Sequence, residues 1–358
     1  PTGIAFCVTR CKEELMYQIY GGPASPYSMK IRAVFRYLRL PHTWTVPMEG
    51  FTGQGGLGQG SEDSTLARAG KGVVPVVRFP DGSYRADSTP MMYHLSELVP
   101  ARTLIHPNAG IAFLSHLVED MADEYLPLLF FYFRWTTDAD WCGRRQMIGW
   151  NGAMTDEELE PLARAFTQRQ RSQLGPAGAQ PPEQVQQRYE EVLAALEQQL
   201  QRSLFFFGSR PSLAEFGLHG QLTQYAADPF VSSVMKDKAV RVFQWEQLMD
   251  DLSGIEGEWA APEDCLTREL ERVIATLAGG YFPMLAMMRQ SVDMKDLAGA
   301  LNGQRYRIKC LLALKAELAG LGKADLNLIR PTLEAAGAWE PLQFAPGEET
   351  QVVPIEMA

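Results

Sequence analysis

Two short β-prone runs, residues 73–79 (VVPVVRF) and 83–86, stand on either side of Pro80-Asp81-Gly82. Proline and glycine at that spacing close a tight antiparallel hairpin, and the register of a hairpin fixes which side chains face the core. Immediately afterwards Ser88 is placed to cap a helix over 89–98, with Pro90 tolerated in its first turn. Upstream, residues 15–20 (LMYQIY) predict a strand that ends at Gly21-Gly22-Pro23, after which Ile31, Val34, Phe35 and Leu38 recur at helical spacing. Residues 43–46 offer a second strand, and the Gly-rich stretch FTGQGGLGQGSED leads to a short helix over 64–69. The element order is therefore βαβαββα.

A chain of 358 residues exceeds one ordinary core, so this unit is one of several. After the Pro-marked stretch 99–107 the pattern becomes helical. Residues 111–135 predict a long apolar-rich helix, and Tyr189, Val192, Leu193, Leu196 and Leu200 mark another by their spacing. The intervening 151–185 is polar and rich in Gln, Pro and Gly, with QLGPAGAQPPEQ its most flexible part. In RPSLAEFGL, Ser212 and Glu215 form a capping box that opens a helix towards Leu222. Leu266, Leu270, Val273, Ile274 and Leu277 carry helical spacing beyond residue 236. The expected organisation is a tail at 1–14, an α/β domain at 15–99, a linker at 100–110, an all-helical domain at 111–235 and a helical extension at 236–358.

Hydrophobic residues at 46% and charged residues at 21% match folded proteins. The formal charge of -10 argues against a nucleic-acid partner, which needs clustered Lys and Arg. The longest strongly apolar run, 126–133, is far shorter than the ~20 residues of a membrane span, and a secretory leader pattern is not seen, so a cytoplasmic location is expected. The five cysteines, Cys7, Cys11, Cys142, Cys265 and Cys310, are odd in number and scattered, which fits reduced thiols rather than a disulfide framework or zinc site. His116, Glu119, Asp120 and Asp123 have spacings that suit a metal, but no second helix offers matching ligands, and no metal is expected. The three acids read most simply as a solvated helix face.

The segment Ser25-Pro26-Tyr27-Ser28 opens the first helix. A helix N-terminus presents unpaired amides and a positive dipole end to an anion, and a serine hydroxyl there can donate to a thiolate. Taken singly, Ser25 also reads as a plain N-cap, Val74-Pro75 as an edge-strand proline, and Asp87-Ser88 as an ordinary helix start. Together, at this spacing, the three motifs resemble the glutathione transferase superfamily, most closely its serine-type, tau-like and omega-like members. The stretch FFFGSRPSLAEFGL is similar to that family's folding motif.

The resemblance implies a thioredoxin-like domain followed by an all-α domain, and a co-substrate, glutathione, with no metal. It implies that Ser25 activates the glutathione thiol, with Tyr20 as the alternative hydroxyl. It further implies a cis Val74-Pro75 bond that exposes Val74 to pair with glutathione, a grip on the γ-glutamyl end by Asp87 and Ser88, and Lys71 near the glycyl carboxylate. The partner would be a small apolar electrophile in a pocket formed by Tyr27, Tyr125, Tyr132 and Trp135, within a homodimer. Apart from the resemblance, the aromatic residues of 111–135 also read as a core stripe. The stretch 236–358 goes beyond the usual length of a transferase and resembles extensions in a bacterial subgroup. A non-catalytic module of the same fold, or an isomerase, dehalogenase or etherase using glutathione, is the alternative.

Overall fold

The structure, a computed structural model, describes residues 16–45, 68–70, 74–174, 178, 180–294, 297 and 303–357. Its only described sheet has four strands, β1 (Tyr17–Tyr20), β2 (His42–Thr45), β3 (Val76–Arg78) and β4 (Tyr84–Ala86), in the order β2-β1-β3-β4. β1 runs parallel to β2 and antiparallel to β3, with Ile19 opposite Val77 and Val76 opposite Ala86. The β3–β4 hairpin closes as its residues dictate: Phe79 N–H donates to Ser83 O at 2.8 Å, and Gly82 supplies the left-handed φ of 85°. The Gly-rich stretch and most of the expected 64–69 helix lie outside the described residues, as do Cys7, Cys11 and Lys71.

Between β1 and β2 runs α1 (Pro26–Tyr37), with Ser25 as its N-cap accepting from Ser28 N–H at 3.3 Å and Pro26 in the first turn. After β4 comes α2 (Ser88–Leu98). Its N-cap is Asp87, not the expected Ser88, and Asp87 makes no capping bond. Ser88 lies inside the first turn, where its hydroxyl meets a side chain from α1.

The helical region consists of α3 (Ala109–Thr136), α4 (Ala139–Asn151), α5 (Asp156–Ser172), α6 (Pro182–Arg202), α7 (Leu213–Ala227), α8 (Pro229–Lys238), α9 (Val240–Met249), α10 (Arg268–Arg289), α11 (Gly303–Gly320) and α12 (Lys323–Ala335), besides single turns. The helix α5 falls in the stretch whose composition alone suggested a polar connection. Thr155 and Glu158 start it with a complete capping box. The expected box at Ser212 and Glu215 is present as well, and Glu215 also accepts from Phe206 N–H at 2.6 Å, tying the preceding loop to α7.

Helix α7 is buried along nearly its whole length, between α1 and α3. Gly217 and Gly220 make this approach feasible, because a Cβ on Gly217 would lie 2.9 Å from Glu119 Cα and one on Gly220 2.8 Å from Lys30 Cβ. The extension continues the same core: α10 packs on α6 and α3, and α11 and α12 both pack on α3. One apolar cluster runs from Ile19 and Phe35 through Leu117 and Phe216 to Leu277 and Leu333. No helix among the described residues is long and apolar enough to cross a membrane.

Candidate functional site

The start of β3, the start of α2 and the middle of α3 converge on a cleft of about 880 Å³, open mouth included, whose far wall is the extension. Val74, with Pro75 after a cis peptide bond, lines one side. Asp87, Ser88 and Thr89 line the end at α2, and Tyr27 contributes from α1. Helix α3 supplies His116, Asp120, Asp123 and Glu124. Helix α11 supplies Tyr306, Arg307 and Cys310, with Ile355 alongside.

Beneath the α2 end lies Lys30, a fully buried cation on α1. Its ammonium group shares its three N–H donors among Asp123 Oδ2 at 2.6 Å, Glu119 Oε1, and Ser88 Oγ and Thr89 Oγ1, each at 3.3 Å. Thr89 in turn donates to Glu119 Oε1 at 2.6 Å. Because Lys30 donates to Ser88 Oγ, the Ser88 proton is left to be donated elsewhere, and the first turn of α2 adds free amides and a positive dipole end. The combination is suited to holding a carboxylate.

The rest of the cleft is acidic. Burial raises Asp120 to about 6 against the opposing bond from Tyr281, whose hydroxyl donates at 2.5 Å. Burial likewise raises Glu124 to about 8, although Arg307 stands 3.2 Å away and works in the other direction. Burial opposes the charge on Lys30, but Asp123 and then Glu119 outweigh it and push its pKa up. One lysine faces two carboxylates there, so burial and Glu119 also lift Asp123 against the pull of Lys30. Burial disfavours a charged His116, yet Glu317 at 2.6 Å, together with Glu119 and Asp120, brings its pKa to about 9. No group of His, Cys, Asp and Glu with metal-binding geometry occurs among the described residues.

The glutathione S-transferase N-terminal domain matches residues 19–103, and the glutathione S-transferase C-terminal domain matches residues 168–245. The chain belongs to the glutathione S-transferase superfamily. Solved transferases similar to it include one from Rhodospirillum rubrum F11, 19% identical, covering 65% of this chain and 87% of its own, with a TM-score of 0.39. Another, from Methylobacterium radiotolerans JCM 2831 in complex with glutathione sulfonate, is 16% identical and covers 66% and 92%, with a TM-score of 0.40. At such identities and scores it is the two domain matches that carry the assignment. No curated protein matches significantly.

In this member of the superfamily Val74, Pro75, Asp87, Ser88 and Tyr27 come together at the cleft. Lys71 lies outside the described residues. Ser25 is buried at the N-terminus of α1 and does not line the cleft, and its oxygen accepts from Ser28 N–H, which leaves the hydroxyl proton to be donated. The Tyr20 hydroxyl donates to Gln18 at 3.0 Å, and its ring lies against Tyr84. Three expected pocket aromatics are elsewhere. Tyr125 packs on Gly280 of α10, Tyr132 donates to Gln180 O at 3.0 Å, and Trp135 packs edge-on against Phe166. All three are buried core, because α3 is covered by α5 and α10 on the faces that carry them.

The acids of α3 also depart from expectation. Glu119, Asp120 and Asp123 are 0%, 6% and 4% exposed rather than solvated, since α1, α7 and the extension cover that face. Asp120 and Asp123 bond within the chain, to Tyr281 and to Lys30 and Gln221. Sequence reasoning missed Lys30, Thr89, Glu124, Tyr306 and Arg307. Lys30 alone left a signal: it precedes Val34 and Tyr37 by four and seven residues, so it is a cation on the buried stripe of α1.

Proposed function

We propose that the cleft binds glutathione and that the chain works as a glutathione transferase-type enzyme of the cytoplasm. The observation that carries the reading is the shared position at the cleft of Val74, the Ser88 and Thr89 hydroxyls over Lys30, and the Asp87 carboxylate. In this reading the γ-glutamyl carboxylate is held by Ser88 and the first turn of α2, and the ammonium by Asp87. The cysteinyl backbone pairs with Val74. The proposal further requires the sulfur to reach Ser25, behind the cleft wall and two residues before the cleft-lining Tyr27, so that Ser25 donates to the thiolate, lowering its pKa and raising the nucleophile fraction near neutral pH. The electrophile enters beside Tyr27 and the extension. The carboxylates of α3 favour a neutral or cationic compound there over an anionic one.

The domain limits 15–99, 111–235 and 236–358 are part of the same proposal, as is a homodimer formed through the first domain and α3. Light scattering at micromolar concentration tests the dimer, and a strictly monomeric mass removes it. A second reading, a non-catalytic ligand carrier, draws support from the extension, whose α11 walls one side of the cleft.

Thermal unfolding with millimolar glutathione tests the binding. A ligand at 100 times its dissociation constant stabilises by about 2.7 kcal/mol, so an unchanged midpoint sinks the proposal. Glutathione consumption against a panel of electrophiles then separates the enzyme from the carrier.

A further inference from the structure

The extension does more than pack. We propose that Tyr306 of α11 is a positioning residue of the glutathione subsite, holding the Asp87 carboxylate in the orientation that receives the ligand's ammonium group; this rests on the reading of the cleft as a glutathione site. The Tyr306 hydroxyl donates to Asp87 Oδ2 at 2.9 Å across a sequence separation of 219 residues. Both side chains line the same cleft as Ser88.

The backbone at Asp87 explains why such a contact matters. Asp87 has φ 84°, a left-handed conformation unusual for a residue with a Cβ, and as N-cap of α2 it makes no capping bond. The bond that would normally fix an aspartate at a helix start is therefore not the one that orients this carboxylate. Tyr306 is well placed to do so, because the next residue anchors its turn: Arg307 Nε donates to Glu124 O at 2.9 Å and pairs with Glu124 Oε2 at 3.2 Å. Burial and the nearby acids raise the Tyr306 phenol, so it stays protonated and can only donate to the carboxylate. A carboxylate offers about four acceptor lone pairs, so the phenol on Oδ2 does not exhaust what Asp87 can present to an ammonium group.

The test is a binding cycle on the full chain by calorimetry, with glutathione and with the analogue in which hydrogen replaces its amino group. Tyr306→Phe removes one oxygen and keeps the ring, so the fold is retained. The proposal expects Tyr306→Phe to weaken glutathione about 5- to 10-fold, or about 1 to 1.4 kcal/mol, while the analogue binds as to the natural chain. It also expects the double variant Tyr306→Phe/Asp87→Asn to bind glutathione no more weakly than Asp87→Asn alone. Equal losses for both ligands, additive losses in the double variant, or tighter binding by Tyr306→Phe would each overturn it while leaving the glutathione site standing. Failure of the natural chain to bind glutathione overturns both.

Discussion

Lys30→Met removes one charge from the most buried ionic group of the site and keeps the volume of the stem. In the natural chain the ammonium lies between Glu119 and Asp123, 2.6 Å from Asp123 Oδ2, with no exposed side-chain surface. Without it, the folded protein must keep one further carboxyl in its neutral form. Holding a carboxyl of ordinary pKa near 4 protonated costs about 4 kcal/mol at pH 7 and about 1.4 kcal/mol at pH 5, at about 1.36 kcal/mol per unit. The larger figure agrees with the roughly 3–5 kcal/mol lost when one partner of a buried pair is removed, and it is a large share of the about 5–15 kcal/mol that holds a domain. A carboxyl whose folded pKa is raised loses stability as pH rises from its unfolded pKa towards its folded one, so the deficit must grow with pH. Urea unfolding of both proteins, followed by far-ultraviolet circular dichroism at pH 5, 6 and 7, measures it. The expected deficit increases by about 2.7 kcal/mol across that range. A deficit that stays constant, or that remains under about 1 kcal/mol at pH 7, refutes the idea that Lys30 compensates two buried carboxylates.

The natural chain should itself melt lower at pH 8.5 than at pH 5.5: Asp120, Glu246 and Glu124 are raised by burial to about 6, 7 and 8, so the folded state keeps protons that the unfolded state has released. His116, brought to about 9 from 6.5, adds the same sign above neutrality, and a flat or rising midpoint contradicts the burial of these groups. Gly217→Ala should destabilise by roughly 1–3 kcal/mol, because the new methyl meets Glu119 Cα at 2.9 Å, whereas helix propensity alone would stabilise by about 1 kcal/mol; denaturant midpoints give the sign. Ser25→Ala should raise the pKa of bound glutathione's thiol and cut turnover about 10- to 100-fold at neutral pH, with Tyr20→Phe far milder; thiolate absorbance against pH separates them, and the reverse order moves the role to Tyr20.

The first domain and the start of α7 were legible because their signals are local. The turn at Pro80-Asp81-Gly82, the cap at Ser25 and the capping box at Ser212 each rest on residues a few positions apart, and each is present. The candidate site was only half legible. Asp120 and Asp123 on α3 have the look of a wet helix face, and only long-range packing of α1, α7 and α10 reverses it. Tyr306 and Arg307 reach Asp87 and Glu124 across separations of 219 and 183 residues, which no local pattern encodes. The aromatic run of α3 was read two ways, as a core stripe by its residues and as a pocket by the resemblance, and Tyr125 and Trp135 are absorbed into the core by α10 and α5. Helix α5 was hidden by the Gln, Pro and Gly of the stretch around it, although Thr155 and Glu158 carried a readable capping box.

A crystal structure of the full chain with glutathione tests the central claim most directly. The account predicts the γ-glutamyl carboxylate on Ser88 and Thr89 above Lys30, the ammonium on Asp87 beside Tyr306, the cysteinyl backbone paired with Val74, and the sulfur within hydrogen-bond reach of Ser25. Density for glutathione elsewhere on the molecule, or an empty cleft at saturating glutathione, would contradict it.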